Sequence, residues 1–284
     1  MTDQADHLRN LVSQGKKRIL RTIAISSGKG GVGKTSITTN LGIMLAQMRK
    51  KVVIVDADMG LANIDVLLRL QTKYNLQHII DGEKRIEEVV IDGPGGIKII
   101  PSASGAQLLT QLTSEQRERF ISEFSIFEGN VDYLLIDTAA GISPNVTEFI
   151  LAAGEVLVVT TPDPTAITDA YALIKIITRY SDNMKIGLFV NMASDAAEAQ
   201  EVENNLKLVT ERFLHTRIEG MGYMLRDRQV SDAVKKQVSF VLHNPSCPAS
   251  SCIKALASRL SNFCSHDNSK TLVKFAEKIT ESIK

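Results

Sequence analysis

Short apolar runs alternate with longer amphipathic stretches along the chain. This alternation predicts buried strands separated by helices. Strands are predicted at residues 22–25, 51–55, 96–101, 131–136, 156–160, 185–191 and 217–225. Nearly continuous apolar strands are typical of sheets that are covered on both faces. The pattern therefore indicates an α/β fold with a doubly wound, mainly parallel sheet flanked by helices.

A glycine-rich loop joins the first predicted strand to a predicted helix at residues 34–50. In it, Gly28, Gly33, Lys34 and Thr35 have the spacing G-x-x-x-x-G-K-[ST], which is typical of a P-loop NTPase. Backbone N–H groups in such a loop form an anion cradle at the start of the helix. The predicted ligands are ATP or ADP with Mg²⁺: Lys34 would reach the β- and γ-phosphates of ATP, and Thr35 would bind Mg²⁺. The other predicted nucleotide contacts of this loop are Gly30, Gly31, Val32 and Ser36.

Carboxylates follow two of the other predicted strands. Asp56 and Asp58 come after the second strand, and Asp137 comes after the fourth. Because ligands of doubly wound sheets bind beyond the carboxyl ends of the strands, these acids are expected at the nucleotide site. Asp137 would accept a hydrogen bond from Mg²⁺-bound water, and the predicted metal set is Thr35, Asp56 and Asp137. The small residues 139–141 indicate a segment that moves when the γ-phosphate leaves.

The loop also contains a second lysine, Lys29, within the sequence KGGVGKT. This sequence resembles the deviant Walker A motif of the MinD/ParA ATPases. The resemblance implies that Lys29 reaches across a dimer interface to the partner's nucleotide, in a role comparable to an arginine finger. It also implies that Asp58 positions the attacking water and that Asp56 supports the metal shell and the first switch. The alternative for Lys29 is a solvated lysine.

Two further nucleotide contacts are implied by the same resemblance. Asn191 ends a predicted strand, where family members commonly place an asparagine that recognises the base, although a turn-forming asparagine is the alternative. Asp227 lies where relatives carry a base-side loop. Leu225 stands where the family pattern usually has a proline, so the adenine contacts are left open.

The first 20 residues form a predicted partner-binding arm ahead of the domain at residues 21–265. Asp3, Gln4, Leu8 and Arg9 match the N-terminal motif of the flagellar FlhG branch of this family. In that branch the arm stimulates the flagellar SRP-type GTPase FlhF, which implies that Gln4 is the activating residue. The segment at residues 60–66 resembles the same branch. The alternative is a frayed tail.

The last segment, residues 266–284, is predicted to be an amphipathic helix. Leu272, Phe275, Ile279 and Ile283 fall on one side at a helical period, with lysines around them. Such a helix can lie in the interface of an anionic membrane, as the C-terminal helix does in MinD and FlhG relatives. The alternative is that its apolar face packs on the protein's own domain.

Composition narrows the function classes. Hydrophobic residues make up 44% of the 284 residues, and the net charge is +1. The near-neutral charge argues against a dominant nucleic-acid surface, so no specific nucleic-acid partner is expected. Three clustered cysteines without a secretory signal indicate reduced thiols, and their spacing matches no common zinc module. We expect a cytoplasmic protein that binds reversibly to the inner face of the cell membrane.

The resemblance to the FlhG branch implies a slow ATPase that works as an ATP-dependent dimerisation switch. It also implies that the chain regulates the number and placement of flagella as a homodimer acting on FlhF. A flagellar transcriptional regulator or a basal-body component is a further candidate partner. The alternatives are a ParA-like DNA-partitioning ATPase, a MinD-like division-site ATPase, and a scaffold that has lost hydrolysis.

Overall fold

The described strands form one sheet in the order β3-β4-β2-β5-β1-β6-β7-β8. The computed structural model describes residues 20–58, 63–102, 113–181 and 183–262. The strands are β1 (Arg21–Ser27), β2 (Val52–Ala57), β3 (Ile91–Asp92), β4 (Lys98–Ile100), β5 (Tyr133–Ala140), β6 (Glu155–Thr160), β7 (Lys185–Ala193) and β8 (Glu219–Leu225). Only β3, paired with β4 at one edge, is antiparallel among these strands. The predicted doubly wound, mainly parallel sheet is confirmed.

Helices cover both faces of this sheet. They are α1 (Lys34–Gln47), α2 (Ile64–Leu68), α3 (Leu76–Ile80), α4 (Ile86–Val89), α5 (Ser114–Phe124), α6 (Pro144–Ala153), α7 (Pro164–Tyr180), α8 (Ala196–Leu214), α9 (Arg228–Lys235), α10 (Phe240–His243) and α11 (Pro248–Asn262). One apolar core lies between the sheet and α3 to α8, and a second lies between the sheet and α1, α2 and α9 to α11. None of the described helices is long and apolar enough to cross a bilayer.

Several element boundaries differ from those predicted. Strands β2, β5 and β7 continue past Asp56, Asp137 and Asn191, so these polar side chains lie inside the strands rather than after them. Helix α1 ends three residues early, and Arg49 beyond it has a left-handed φ of 61°. Charged residues alternate with Phe and Ile at a helical period over residues 115–127, which predicts a single surface helix. The structure instead has α5 followed by a short 3₁₀ turn (Ser125–Phe127), with buried phenylalanines that pack into the core.

A buried ion pair ties the amino edge of the sheet to the last described helix. Arg21 in β1 donates to both carboxylate oxygens of Glu155 in β6, at 3.2 and 2.6 Å. The same guanidinium donates to the carbonyl of Leu260 in α11 and lies over the ring of Tyr133. These contacts anchor the C-terminal end of α11 far from the carboxyl edge. The predicted arm at residues 1–20, apart from Leu20, and the predicted helix at 266–284 lie outside the described residues.

A candidate nucleotide site at the carboxyl edge of the sheet

A cleft of about 1130 Å³ opens at the carboxyl edge of the sheet, where the strand order reverses around β1. The glycine-rich loop, Asp58, Asn191 and the start of α9 line it. This is the position at which doubly wound sheets bind their ligands. The structure therefore brings the loop and most of the predicted polar residues to one site.

The glycines of the loop are required by its geometry. A Cβ on Gly28 would overlap the backbone carbonyl of Asp169 in α7, so the loop is seated directly on that helix. Gly33 has a φ of 87° and precedes the first turn of α1, where the helix leaves its first N–H groups without partners. The loop therefore leads directly into a helix N-terminus, where free backbone N–H groups can bind an anion.

Asp137 is the buried acceptor at the base of the loop. It is 0% exposed, and Lys34 Nζ donates to its Oδ1 at 3.1 Å while Thr35 Oγ1 donates to its Oδ2 at 2.7 Å. Thr38 Oγ1 also donates to Oδ1, at 2.8 Å. The sequence interpretation missed Thr38. Its signal was the position one helical turn after Thr35, which places both hydroxyls on the same side of α1.

Asp56 and Asp58 occupy different environments, because Asp56 lies within β2 whereas Asp58 follows the end of that strand. Asp56 is 1% exposed and does not line the cleft. It accepts hydrogen bonds from the backbone N–H groups of Asp58, Asn63 and Ile64 at 3.1–3.2 Å. Asp58 lines the cleft, and its Oδ2 accepts from Asn63 Nδ2 at 3.0 Å. Asp56 thus organises the segment that presents Asp58.

Burial, followed by the nearby Asp137 carboxylate, raises the pKa of Asp56 to about 7, although hydrogen bonds from three backbone N–H groups oppose the shift. The charged form is disfavoured because little water reaches the group. A cation close to this pair of carboxylates would offset both the burial of Asp56 and its repulsion by Asp137, and it would favour the charged form. The charge distribution of the site therefore suits a divalent metal ion.

Lys29 stands apart from the other lysine of the loop. Its side chain is 43% exposed, and its Nζ contacts Thr165 Oγ1 and lies 3.4 Å from Asp163 Oδ1. Asp163 is the N-cap of α7, and hydrogen bonds from Thr165 lead the causes that lower its pKa to about 2. Asp163 is therefore ionised when it meets Lys29, and the two lysines of the loop have separate partners within the chain.

The two predicted base-side residues are both engaged with backbone. Asn191 is buried and donates from Nδ2 to the carbonyl of Val32 at 2.7 Å. Asp227 is the N-cap of α9 and accepts from Gln229 N at 2.9 Å and from Ala249 N at 3.3 Å. Leu225 and Met192 supply apolar lining to the same part of the cleft. The geometry places both predicted residues at the site but shows each already bonded within the chain.

The donors and acceptors of this site fit a nucleotide with Mg²⁺. The loop offers a helix N-terminus and a buried lysine to phosphate groups, and Thr35 with Asp137 offers oxygen ligands of the kind that Mg²⁺ prefers. The segment after β5 is joined to the loop through Gly141 N, which donates to Ser27 O at 2.8 Å. A change in the loop when phosphate binds or leaves can therefore pass directly to the segment after β5 through this hydrogen bond.

Known proteins resemble this chain both in sequence and in fold. The family described as "AAA domain" matches residues 20–190. The antiactivator FleN of Pseudomonas aeruginosa is 40% identical over 249 residues, which cover 88% of this chain and 89% of that protein. The flagellum site-determining protein YlxH of Helicobacter pylori is 37% identical, with 72% of each chain covered.

Solved structures have the same fold. The septum site-determining protein MinD from Pyrococcus horikoshii, complexed with Mg-ADP, has a TM-score of 0.69 at 22% identity, covering 85% of this chain and 96% of that one. MinD from Aquifex aeolicus has a TM-score of 0.68 at 26% identity, covering 88% of this chain and 100% of that one.

Proposed function

Because this chain belongs to the flagellar FleN/YlxH branch of the MinD/ParA ATPases, we propose that it acts as an ATP-dependent dimerisation switch. The chain is an ATPase that uses Mg²⁺, and it takes part in the control of flagellar number. In this proposal, the residues of the cleft couple ATP hydrolysis to the association of two copies of the chain.

The proposal rests on the different environments of the two lysines of the loop. Lys34 is 8% exposed and bonded to Asp137, so it serves the site of its own chain. Lys29 lies at the surface with a partner that is itself half exposed. Exposed ion pairs are worth at most about 1 kcal/mol, so Lys29 can exchange its partner at little cost. A nucleotide bound to a second copy of the chain would offer Lys29 a stronger partner.

Each remaining residue of the cleft has a distinct task in this scheme. Lys34 and the loop backbone hold the phosphates, while Thr35 and Asp137 hold the metal ion. Bound Mg²⁺ neutralises phosphate charge and so favours transfer of the γ-phosphoryl group to water. Asp58 orients that water from the cleft wall, and its position depends on Asp56 and Asn63.

Two segments would report the state of the nucleotide. The stretch from Asp58 to Ile64 is held by Asp56, and the stretch after β5 is held by the contact between Gly141 and Ser27. Loss of the γ-phosphate removes negative charge next to both segments and so changes the contacts that they make. The dimer equilibrium shifts by the difference in contact free energy between the ATP and ADP states. We expect slow turnover, because a switch depends on the lifetime of its ATP state.

The decisive measurement is sedimentation velocity of the full chain with Mg-ATP and with Mg-ADP. The proposal expects dimers only with ATP, and it expects Lys29→Ala to remain monomeric while still binding ATP. Lys98→Ala is the matched control, because Lys98 is an exposed lysine paired with Asp92 away from the cleft. Lys29→Ala that dimerises like the parent would refute the trans role of Lys29.

We further propose that the dimer binds the inner face of the membrane through residues 266–284. The support is the helical spacing of Leu272, Phe275, Ile279 and Ile283 among lysines. Two copies on one dimer would bind an anionic surface much more strongly than one. Sedimentation with anionic liposomes should require ATP and be lost on truncation before Lys270. If the truncated chain sedimented with liposomes as well as the intact chain does, residues 266–284 would have no membrane role.

The proposed partner is the flagellar SRP-type GTPase FlhF, contacted by Asp3, Gln4, Leu8 and Arg9 of the arm. The support is the match between this motif and that of the FlhG branch. The full chain should raise the GTPase rate of FlhF, and Gln4→Ala should abolish the stimulation without preventing ATP binding. Stimulation that survives Gln4→Ala would remove Gln4 from the activating role.

A further inference from the structure

Asp58 lies just beyond the hydrogen-bonded part of its strand. On one side, β2 pairs with β5 as far as Ala57, and on the other its last pair with β4 joins Val55 to Ile100. The residue after Ile100 is Pro101, which has no backbone N–H and cannot extend the ladder towards Asp58. The position of Asp58 therefore depends on contacts other than strand pairing.

Ser102 supplies one of these contacts from the end of the neighbouring strand β4. Its Oγ donates to the backbone carbonyl of Asp58 at 2.9 Å, and the residue is only 6% exposed. Pro101, immediately before it, is anchored in turn, because its carbonyl accepts from the N–H of Leu76 at 3.0 Å, at the start of α3. The hydroxyl donor is therefore carried by a backbone that is itself held in place.

Asp58 is held at three separate points. Its N–H donates to Asp56 Oδ1 at 3.2 Å, and its Oδ2 accepts from Asn63 Nδ2 at 3.0 Å. Those two partners belong to the same short segment as Asp58, whereas the third, Ser102, comes from a different strand and ties Asp58 to the rest of the sheet. Ser102 does not line the cleft, so it would affect the nucleotide through Asp58.

We propose that Ser102 is a positioning residue for ATP hydrolysis, which fixes the backbone of Asp58 so that its carboxylate can orient the attacking water. A misplacement of about 1 Å can slow a reaction on the order of a hundredfold, so a single backbone contact can matter. Asp58 orients water and does not hold the phosphates, so its displacement slows hydrolysis and leaves nucleotide affinity unchanged. The role of Ser102 thus rests on the proposed role of Asp58.

The test measures kcat of the full chain together with its affinity for Mg-ADP by calorimetry. Ser102→Ala should lower kcat about tenfold without changing the dissociation constant of Mg-ADP or the ATP-dependent association seen in sedimentation velocity. Ser102→Thr keeps the hydroxyl and should retain most of kcat. If Ser102→Ala does not fold, Ser102→Cys fills nearly the same space with a weaker donor and should lower kcat about threefold.

Thr210→Val is the matched control for the loss of a buried hydroxyl. Thr210 is 0% exposed in α8, and its Oγ1 donates to the backbone carbonyl of Leu206 at 2.8 Å, outside the cleft lining. Its replacement should leave kcat unchanged even where it lowers stability. A fall in kcat with Thr210→Val as large as that with Ser102→Ala would mean that general loosening of the fold explains both, and would overturn the proposal.

A double-mutant cycle with Asp58→Asn separates the role of Ser102 from that of Asp58. Asp58→Asn should lower kcat, and adding Ser102→Ala should lower it no further, because the carboxylate that Ser102 positions is then absent. Parental kcat in Asp58→Asn would refute the role of Asp58 and with it that of Ser102. The role of Ser102 alone is overturned if Asp58→Asn slows hydrolysis but Ser102→Ala does not, or if Ser102→Ala weakens Mg-ADP binding as much as it lowers kcat.

Discussion

Thr38 Oγ1 lies 2.8 Å from Asp137 Oδ1, and it shares this buried oxygen with Lys34 Nζ. If Lys34 turned to a phosphate group and Thr35 to a metal ion, Thr38 could keep its hydrogen bond to Asp137. It would then hold the buried carboxylate in place while the other two donors exchanged partners. Thr38 lies in α1 and Asp137 lies in β5, so this hydrogen bond joins the first helix to the neighbouring strand of the sheet.

Thr38→Val should lower both stability and Mg²⁺-dependent activity. The valine keeps the shape of threonine but leaves Asp137 Oδ1 with one donor fewer, which costs about 1–3 kcal/mol of unfolding free energy. Urea unfolding and ATPase rates as a function of Mg²⁺ concentration measure the two effects. Thr168→Val is the matched control, because Thr168 is exposed on α7 and its hydroxyl donates to the carbonyl of Pro164, four residues earlier. Equal effects of the two substitutions would remove Thr38 from the site.

Asp163→Asn should strengthen the ATP-dependent dimer if the cis contact of Lys29 competes with a trans contact. Asparagine caps a helix as well as aspartate does, so α7 is kept while the attraction for Lys29 is reduced. The expected gain is small, about two- to fivefold in the dimer dissociation constant, because the pair is half exposed. Sedimentation equilibrium with Mg-ATP measures it.

The control for this change is Asp195→Asn, which alters the N-cap of α8 away from the loop. It should leave the dimer constant as it is in the parent. A weaker dimer with Asp163→Asn would mean that Asp163 helps to present Lys29 rather than retaining it.

Stability of the metal-free chain should fall as the pH rises from about 4 to about 7. Asp56 has a raised pKa of about 7 in the native state, whereas it is 3.8 when unperturbed. Within that window the unfolded chain has released the proton and the native chain still binds it, so raising the pH favours unfolding. The loss is on the order of a few kcal/mol, and it levels off above pH 7.

Asp56→Asn should remove this slope in urea unfolding with a chelator present, because asparagine does not titrate. Asp65→Asn, which replaces a partly exposed aspartate in α2, should keep it. Added Mg²⁺ should reduce the slope of the parent chain, since a cation favours the charged carboxylate. A parent chain whose stability rises over this window would contradict the assignment.

Glu155→Gln should destabilise the fold without altering the nucleotide site. It leaves the buried Arg21 guanidinium without its counter-charge, at a cost of about 3–5 kcal/mol. The pair lies at the amino edge of the sheet, so the dissociation constant for ATP should be unchanged at temperatures where the variant is folded. Glu211→Gln, in an exposed pair with Arg217, should change stability by less than about 0.5 kcal/mol.

Much of this protein could be predicted from local pattern. The order of strands and helices follows from apolar runs that are a few residues long, and the phosphate loop follows from glycine spacing, because both depend on neighbours in the chain. The ends of β2, β5 and β7 were predicted too early. Asp56, Asp137 and Asn191 are polar, yet they continue their strands because each finds partners inside the fold.

The fold class, the loop and the presence of acids near it follow from the sequence alone. The partner of each side chain depends on the tertiary structure: Asp56 accepts from the backbone of Ile64, Thr38 bonds to Asp137, Asn191 to Val32, and Lys29 lies beside Asp163. These pairs join residues from different elements, most of them far apart in the chain. Their roles depend on distance and burial, because hydrogen bonding and desolvation act through space rather than along the chain.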